Sequence, residues 1–491
     1  MPSISEVINI GFSLHQQGDL EEAENAYFEA LDLDKNNAEV YNLIGVLKLQ
    51  KGEVESAIDY AQKAISISKE GYFFETLFQA YIRNSDYKKI TEYESTVKEL
   101  FSDDFSLLFN LALAFKNLKE NKKAIKYYEK ALKINPSSYQ GWFNLAHLYG
   151  IEAETKNAVS AFKICNKIKP HDPEIEYFLG TALMRTKDYK HGLKYFENRI
   201  ARTAAIAAQN KSYPNKLRED NLWRGENIKN KTLLVYYEAG FGDVIMFSRY
   251  LPIVRKLCKK LILICQKPLS PLFASNKQLG IDEIIDTFVP ESNIDFDVHI
   301  PLLSLPYTLG LKNDDVFAFS GGYLYAENGL KDEYKSKYFN NDKIKIGIKW
   351  QGNTYTETDR VIPAEKFNEL TDIKNTEFYS LQTFEGSEKA FCLSNITDIG
   401  KDLIDFAQTA AVISNIDLVI CNDTSLAHLA GAMGVPCWVI LPYDVNWRWH
   451  TDLSKCDWYT NVRLFRQKSF GDWDSVFAEI KDEINKALSI S

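Results

Sequence analysis

Four short stretches of this 491-residue chain hold residues that could carry chemistry, each where an apolar run stops. In Glu238-Ala239-Gly240-Phe241-Gly242-Asp243-Val244 a carboxylate follows a glycine turn. Asp243 at such a place can be a general base at the lip of a cleft. It can equally be the cap of the following helix. Lys349-Trp350-Gln351-Gly352-Asn353 closes a second apolar run, with Asp359 and Arg360 downstream. A lysine at a strand end would turn its charge to the cleft, and an arginine can fork onto a phosphate. The plainer reading is a solvated loop.

Cys421-Asn422-Asp423-Thr424-Ser425-Leu426-Ala427-His428 reads as a strand meeting a helix. Asn422 or Asp423 would cap that helix, and the amides of Thr424 and Ser425 would form an anion site. His428 lies one turn further in on roughly the same face. Without a ligand the same run is a capped helix with a core histidine. In Asp444–His450, Trp447, Arg448 and Trp449 could frame a base or sugar, or pack a domain edge.

Other chemistries are disfavoured. Gly240 and Gly242 fit G-x-G, but Ile245 stands where a dinucleotide fingerprint needs a third glycine. The second strand ends in Gln266, not in the acidic residue that would hold a ribose. Asp295-Phe296-Asp297 and Asp472-Trp473-Asp474 resemble metal–nucleotide runs, but one precedes a short strand and the other opens a helix, so both read as incidental. The seven cysteines are scattered without a CxxC, which disfavours zinc. Together with an N-terminus unlike a secretory signal, they read as reduced thiols of the cytoplasm. A net charge of −9 argues against a general nucleic-acid binder. The tight apolar runs are strand-sized, so no transmembrane segment is expected.

These stretches need a scaffold, and the second half of the chain supplies its grammar. Strand runs at Thr232–Tyr237, Leu261–Cys265 and Val298–Pro301 accompany a helix at Val244–Lys259. A second series runs through strands at Ile344–Trp350, Glu377–Gln382, Asp417–Cys421 and Cys437–Leu441. Helices are expected near Ala364–Leu370, at Leu403–Asn415, from Thr424, and at Asp472–Leu488. Alternation of this kind predicts two Rossmann-like lobes with parallel sheets, joined near residues 325–343. Ligands in such folds sit at the carboxyl ends of the strands.

The first half is different. Gly11, Gly18, Ala23 and Ala30 recur as Gly45, Gly52, Ala57 and Ala64, a period of 34. Ala112, Ala124 and Pro136 recur as Ala146, Ala158 and Pro170, again 34 apart. Small residues let antiparallel helices touch, and units of this length must stack to bury their apolar faces. Six units align, the third degenerate and the sixth ending at Arg199. They look like tetratricopeptide repeats. Asn110 and Asn144, at equivalent positions, are either helix surface or donors to a partner's backbone. Ala201–Asn221 has no period and reads as a linker or docking segment.

Taken together, GFGDVIMFSRYLP, GIKWQGN, DLVICNDTSLAHLAGAMGVPCWVILP, NWRWH, YTNVRLFRQ and GDW resemble the heptosyltransferase-like glycosyltransferases over roughly residues 223–488. The whole chain resembles bacterial proteins that fuse tetratricopeptide repeats to such a domain. The resemblance implies a GT-B fold behind the helical solenoid. The expected organisation is a repeat array at 1–200, a linker at 201–222, an acceptor-side lobe at 223–335, a nucleotide-sugar lobe at 336–471, and a last helix at 472–491 crossing back to the first lobe.

The resemblance also implies roles. Asp243 is the base, and Asp423, Thr424, Ser425 and His428 hold the nucleotide diphosphate. Arg360 stabilises the leaving phosphate, although relatives often have lysine there. Lys349, Gln351 and Asn353 join the donor-binding candidates. The expected reaction is inverting transfer from a nucleotide-diphosphate sugar, without metal or further cofactor, to a protein acceptor recruited by the repeats. A non-catalytic repeat scaffold and a glycolipid or lipopolysaccharide-type transferase are the alternatives.

Overall fold

The computed structural model describes residues 3–201, 219–286, 294–352, 358–450 and 455–490. Most of the expected linker, and Asn353, lie outside the described residues.

Among the described residues six helical pairs follow the 34-residue period. They are Ile4–Gln17 with Leu20–Leu33, Ala38–Lys51 with Val54–Ile67, Gly71–Arg83 with the split Tyr87–Glu92 and Glu94–Leu100, Phe105–Asn117 with Asn121–Ile134, Tyr139–Ile151 with Thr155–Ile168, and Pro173–Arg185 with Tyr189–Phe196. The small residues are where the helices touch. A Cβ on Gly11 would lie 2.8 Å from the Tyr27 ring. The turn inside each pair needs a left-handed residue, taken by Gly18 and Gly52 and later by Ser85, Lys119, Ala153 and Lys187.

Asn110 and Asn144 are buried, so they are neither helix surface nor free for a partner's backbone. Asn144 donates to the Tyr128 hydroxyl (3.0 Å) and accepts from Lys116 Nζ (3.0 Å).

The chain divides into two compact units, Met1–Pro170 and His171–Ser491. The sixth helical pair therefore belongs to the second unit, not to an array ending at residue 200. The reason is packing. Met184, Tyr189, Leu193 and Phe196 share one buried cluster with Trp223, Leu233, Val244, Trp447 and Trp458.

The rest of the second unit carries two parallel sheets. The first holds β1 (Thr232–Tyr236), β2 (Lys260–Ile264), β3 (Glu283–Ile285) and β4 (Val298–Pro301) in the order β3-β2-β1-β4. The second holds β5 (Ile344–Lys349), β6 (Thr376–Ser380), β7 (Ile396–Asp398), β8 (Leu418–Asn422), β9 (Cys437–Leu441) and β10 (Val462–Arg466), in the order β10-β9-β8-β5-β6-β7. Among the described residues every pairing between these strands is parallel. The strand order reverses between β1 and β4 and between β5 and β8, where a crevice opens at the carboxyl ends.

Three expectations change. The helix expected over Val244–Lys259 breaks into Phe241–Phe247 and Leu251–Arg255, because Pro252 cannot donate to the preceding turn. The Asn328–Tyr338 helix belongs with the C-terminal lobe: Lys337 pairs with Asp402 (2.6 Å), and Asn415 donates to the Lys331 carbonyl (3.0 Å). The last helix, Trp473–Ile490, does not cross back. Val476, Phe477, Ile480 and Ile484 pack with Ile346, Ile348, Trp350 and Phe367 in the C-terminal lobe, and that apolar stripe pins it there.

Candidate functional site

The lobe built on β1–β4 contributes the Phe241–Phe247 helix, which begins just beyond β1. Gly240 is its N-cap, so Asp243 is its third residue and not its cap. The four residues after Asp243 are buried and hold the helix against the core. Gly242 explains the glycine in this motif. A Cβ there would lie 2.7 Å from His428 Cδ2 and 3.5 Å from Ser425 Cα. Only glycine lets this helix touch the Ser425–Met433 helix of the other lobe, and that contact places Asp243 beside the second motif.

The C-terminal lobe contributes the ends of β5 and β8. Lys349 closes β5, is buried, and donates to Thr383 Oγ1 (3.3 Å). Gln351 serves the loop: its amide donates to Gln382 Oε1 (3.0 Å) and its carbonyl accepts from Gln382 Nε2 (3.1 Å). Its own Oε1 is buried without a partner among the described residues. After β8, Asp423 pairs with Arg360 (3.0 Å), and Asn422 donates to the Arg360 carbonyl (3.0 Å). Two bonds thus hold Arg360 at the mouth of the strand. A carboxylate would repel a phosphate, so Asp423 could serve an anion only through the arginine it pairs with.

Thr424 is the N-cap of the Ser425–Met433 helix, a place the sequence reading gave to Asn422 or Asp423. Its side chain makes no capping bond and donates instead to the Asn422 carbonyl (3.3 Å). The first-turn amides are thus not closed off by the cap side chain, which suits an anion. His428 is buried, stacks on Trp449 (centroids 5.2 Å apart, 23° between planes) and shares a hydrogen bond with the Tyr459 hydroxyl (3.1 Å). Burial, with the guanidinium groups of Arg448, Arg249 and Arg360 nearby, holds it well below the usual histidine range. It is a neutral hydrogen-bonding group at working pH.

Sequence reading missed three arginine roles. Arg448, read as framing a base or sugar or as packing a domain edge, donates through Nη2 to Asp243. Arg249 is fully buried, donates to the Met246 carbonyl (2.9 Å) and the Trp458 carbonyl (3.1 Å), and lies about 5 Å from the rings of Tyr323 and Tyr459. Arg199 forks onto Glu238 with bonds of 3.1 and 2.7 Å and reaches Glu197 (2.6 Å) and Ser304 (2.7 Å). Glu238 and Ser304 follow β1 and β4, so a residue of the sixth helical pair's trailing segment fills the first lobe's crevice. The pairings of Arg448 with Asp243, Arg249 with Trp458, and Arg199 with Glu238 and Ser304 have no local signature. The arginines are ordinary in the chain and gain meaning only through distant partners.

Arg360 is held beside this helix start by Asp423, Arg448 reaches the neighbouring Asp243, and Lys349 ends the adjacent strand, three cations that could serve an anion. Burial pushes the Lys349 ammonium down to about 8. A lysine of this kind is cationic below that pH and neutral above it. Affinity for a nucleoside diphosphate, already fully ionised there, is therefore expected to fall as pH rises past 8, by at most about tenfold per pH unit. Calorimetry from pH 7 to 9.5 on the wild type and Lys349→Gln reads this directly, with the variant's profile expected to be flat. A flat wild-type profile would remove Lys349 from the anion site.

Among the described residues no helix is long and apolar enough to cross a membrane, and no group of three His, Cys, Asp or Glu side chains could hold a metal ion. The acidic runs have structural uses instead: Asp297 accepts from the Thr232 amide, and Asp472 from Ser475.

Comparison with known proteins agrees with the two-part architecture. The family model of glycosyltransferase family 9 (heptosyltransferase) matches residues 328–440, starting at the helix assigned above to the C-terminal lobe. Tetratricopeptide models match residues 11–52, 38–70, 105–138 and 127–159. The chain is similar to Protein FlbA of Caulobacter vibrioides, at 22% identity over 406 residues, covering 74% of this chain and 64% of that protein. It is also similar to anaphase-promoting complex subunit CDC16 of Saccharomyces cerevisiae, at 29% identity over 100 residues, 20% of this chain and 12% of that one. The chain thus spans less than two thirds of the length of these relatives. Among solved structures it resembles YrrB, a TPR protein with an unusual peptide-binding site, at 22% identity, covering 34% of this chain and 88% of that chain with a TM-score of 0.31. A helical array of tetratricopeptide repeats, followed by an α/β region that carries a glycosyltransferase family 9 domain, is therefore what this chain consists of.

Proposed function

We propose that the chain transfers a sugar, with inversion, from a nucleotide-diphosphate sugar to an acceptor hydroxyl, and that the acceptor is a protein recruited by the repeats. The observation that carries this reading is the contact of Gly242 with His428 and Ser425, which joins the carboxylate motif to the anion motif. In the reaction the acceptor oxygen forms a bond to the anomeric carbon as its proton passes to Asp243. The bond from that carbon to the diphosphate oxygen breaks on the opposite face, and the nucleoside diphosphate leaves with the electron pair. Negative charge grows on that oxygen. The amides of Ser425 and its neighbours, Arg360 and Lys349 supply fixed countercharge where it grows. Transfer is therefore expected to persist in EDTA.

A panel of UDP-, GDP-, ADP-, CDP- and dTDP-sugars tests the reading, first by melting shift and then by transfer. Thr424→Ala combined with His428→Ala is expected to weaken the matching nucleoside diphosphate by about one to two decades, the loss of one charge-assisted hydrogen bond. A wild-type protein that binds and transfers none of them would favour the scaffold reading.

A further inference from the structure

We infer that Arg448 is a further catalytic residue, shared between Asp243 and the donor: its guanidinium passes from the carboxylate to the leaving phosphate when donor binds, and so frees the base only in a loaded site. This rests on Asp243 being the base.

The turn that carries Arg448 is held firmly, so only its tip can change partner. Asn446 Oδ1 accepts from both the Arg448 amide (3.2 Å) and Nη1 (2.8 Å). Trp447 lies under the guanidinium at 4.6 Å and packs edge-on against Phe196 (5.6 Å) and Trp458 (6.0 Å). Trp449 stacks on His428. Behind the turn, Tyr189 hydrogen-bonds His450 (2.9 Å), and Arg185 donates to the Val445 carbonyl. The sixth helical pair thus buttresses this turn.

The tip itself is under-committed. Nη2 goes to Asp243 and Nη1 to Asn446, while the buried Nε has no partner among the described residues. Protonating a carboxylate forfeits its charge-assisted bond to a guanidinium, so the proton is accepted at lower cost once the guanidinium has another anion to hold. The exchange needs a second anion that draws the guanidinium away. A diphosphate at the Ser425 helix start would lie beside His428, whose ring is within contact of Gly242 and stacked on Trp449. It carries more charge than one carboxylate and matches the planar fork. The exchange lets the donor report its arrival to the base and disfavours proton abstraction before a leaving group is in place.

A double-mutant cycle on nucleotide affinity tests this, with UDP, GDP and inorganic pyrophosphate as probes in calorimetry on the full chain. Arg448→Gln is expected to weaken whichever probe the wild type binds by about tenfold or more. Asp243→Asn is expected to tighten it, about three- to tenfold, because an amide oxygen competes for Arg448 less strongly than a carboxylate. In the Arg448→Gln background the same Asp243→Asn change should have almost no effect. Tightening of equal size in both backgrounds would mean simple repulsion between carboxylate and phosphate, and would overturn the exchange. So would an Arg448→Gln variant of unchanged affinity, or a wild type that binds none of the three probes. Arg448→Lys, which keeps the charge and loses the fork, repeats the cycle if the glutamine variant melts early. The base reading fails separately, through full sugar transfer by Asp243→Asn, whatever the affinity cycle shows.

Discussion

Asp243→Asn is expected to lower sugar transfer by roughly two to four decades while leaving the melting temperature nearly unchanged, the usual contribution of a positioned general base. The substitution is close to isosteric. Asparagine keeps a carbonyl oxygen for Arg448 but has no carboxylate to accept a proton. Two alternatives are separable. If Asp243 served only as a cap, asparagine would replace it almost without loss. The helix start argues against that role, because Gly240 holds the cap position and Asp243 lies three residues in. If the fall came from misfolding, melting would move with it. The assay is transfer from the donor found in the nucleotide-sugar panel, with melting followed in the same samples. Full activity would sink the assignment.

The second large effect is structural. Arg199→Ala is expected to destabilise the second compact unit by roughly 3–5 kcal/mol, because it strands Glu238 and Glu197 with their partner gone. Arg199 itself is buried, and the two glutamates are 11% and 23% exposed. A change of that size corresponds to a melting shift on the order of 5–10 °C in a large domain. Transfer should fall as well, since Glu238 opens the turn that leads to Asp243. Arg199→Lys should fall between, because a lysine keeps the charge but cannot fork onto Glu238 while reaching Ser304 and Glu197. Differential scanning calorimetry of the full chain reads this as a shift of one transition. If that transition stays where it is in the wild type, the Arg199 ion network is not what fastens the sixth helical pair's trailing segment to the α/β region.

Much of the scaffold was legible because its signals are local. The 34-residue spacing of Gly11, Ala23 and Ala30 follows from helices that must touch, and Ala23 and Ala30 are indeed fully buried. Strands β1, β4, β5 and β9 were readable from short apolar runs ending at turn residues. β3 and β7 were not, since each has three residues and neither is fully buried. The break at Pro252 was readable in principle, since a proline inside a helical pattern is a local fact. The site motifs were found for the same reason: a glycine turn before a carboxylate and a strand running into N-D-T-S are both contiguous in sequence.

By itself, then, the sequence determined the repeat, the alternating α/β grammar and the two motifs, because each depends on residues a few positions apart. Only the tertiary structure decided what those motifs face. The ion pair between Asp243 and Arg448 spans 205 residues, and the Asn422 bond that helps hold Arg360 spans 62. It also decided that the sixth helical pair belongs to the second unit, which no period reveals, since that pair keeps the repeat pattern while burying Tyr189 and Phe196 against Trp458 and Trp447. Periodicity records how a helix packs on its nearest neighbours along the chain. It does not record which distant charge or aromatic ring the fold brings to the other face, and in this protein that other face is where the candidate chemistry is assembled.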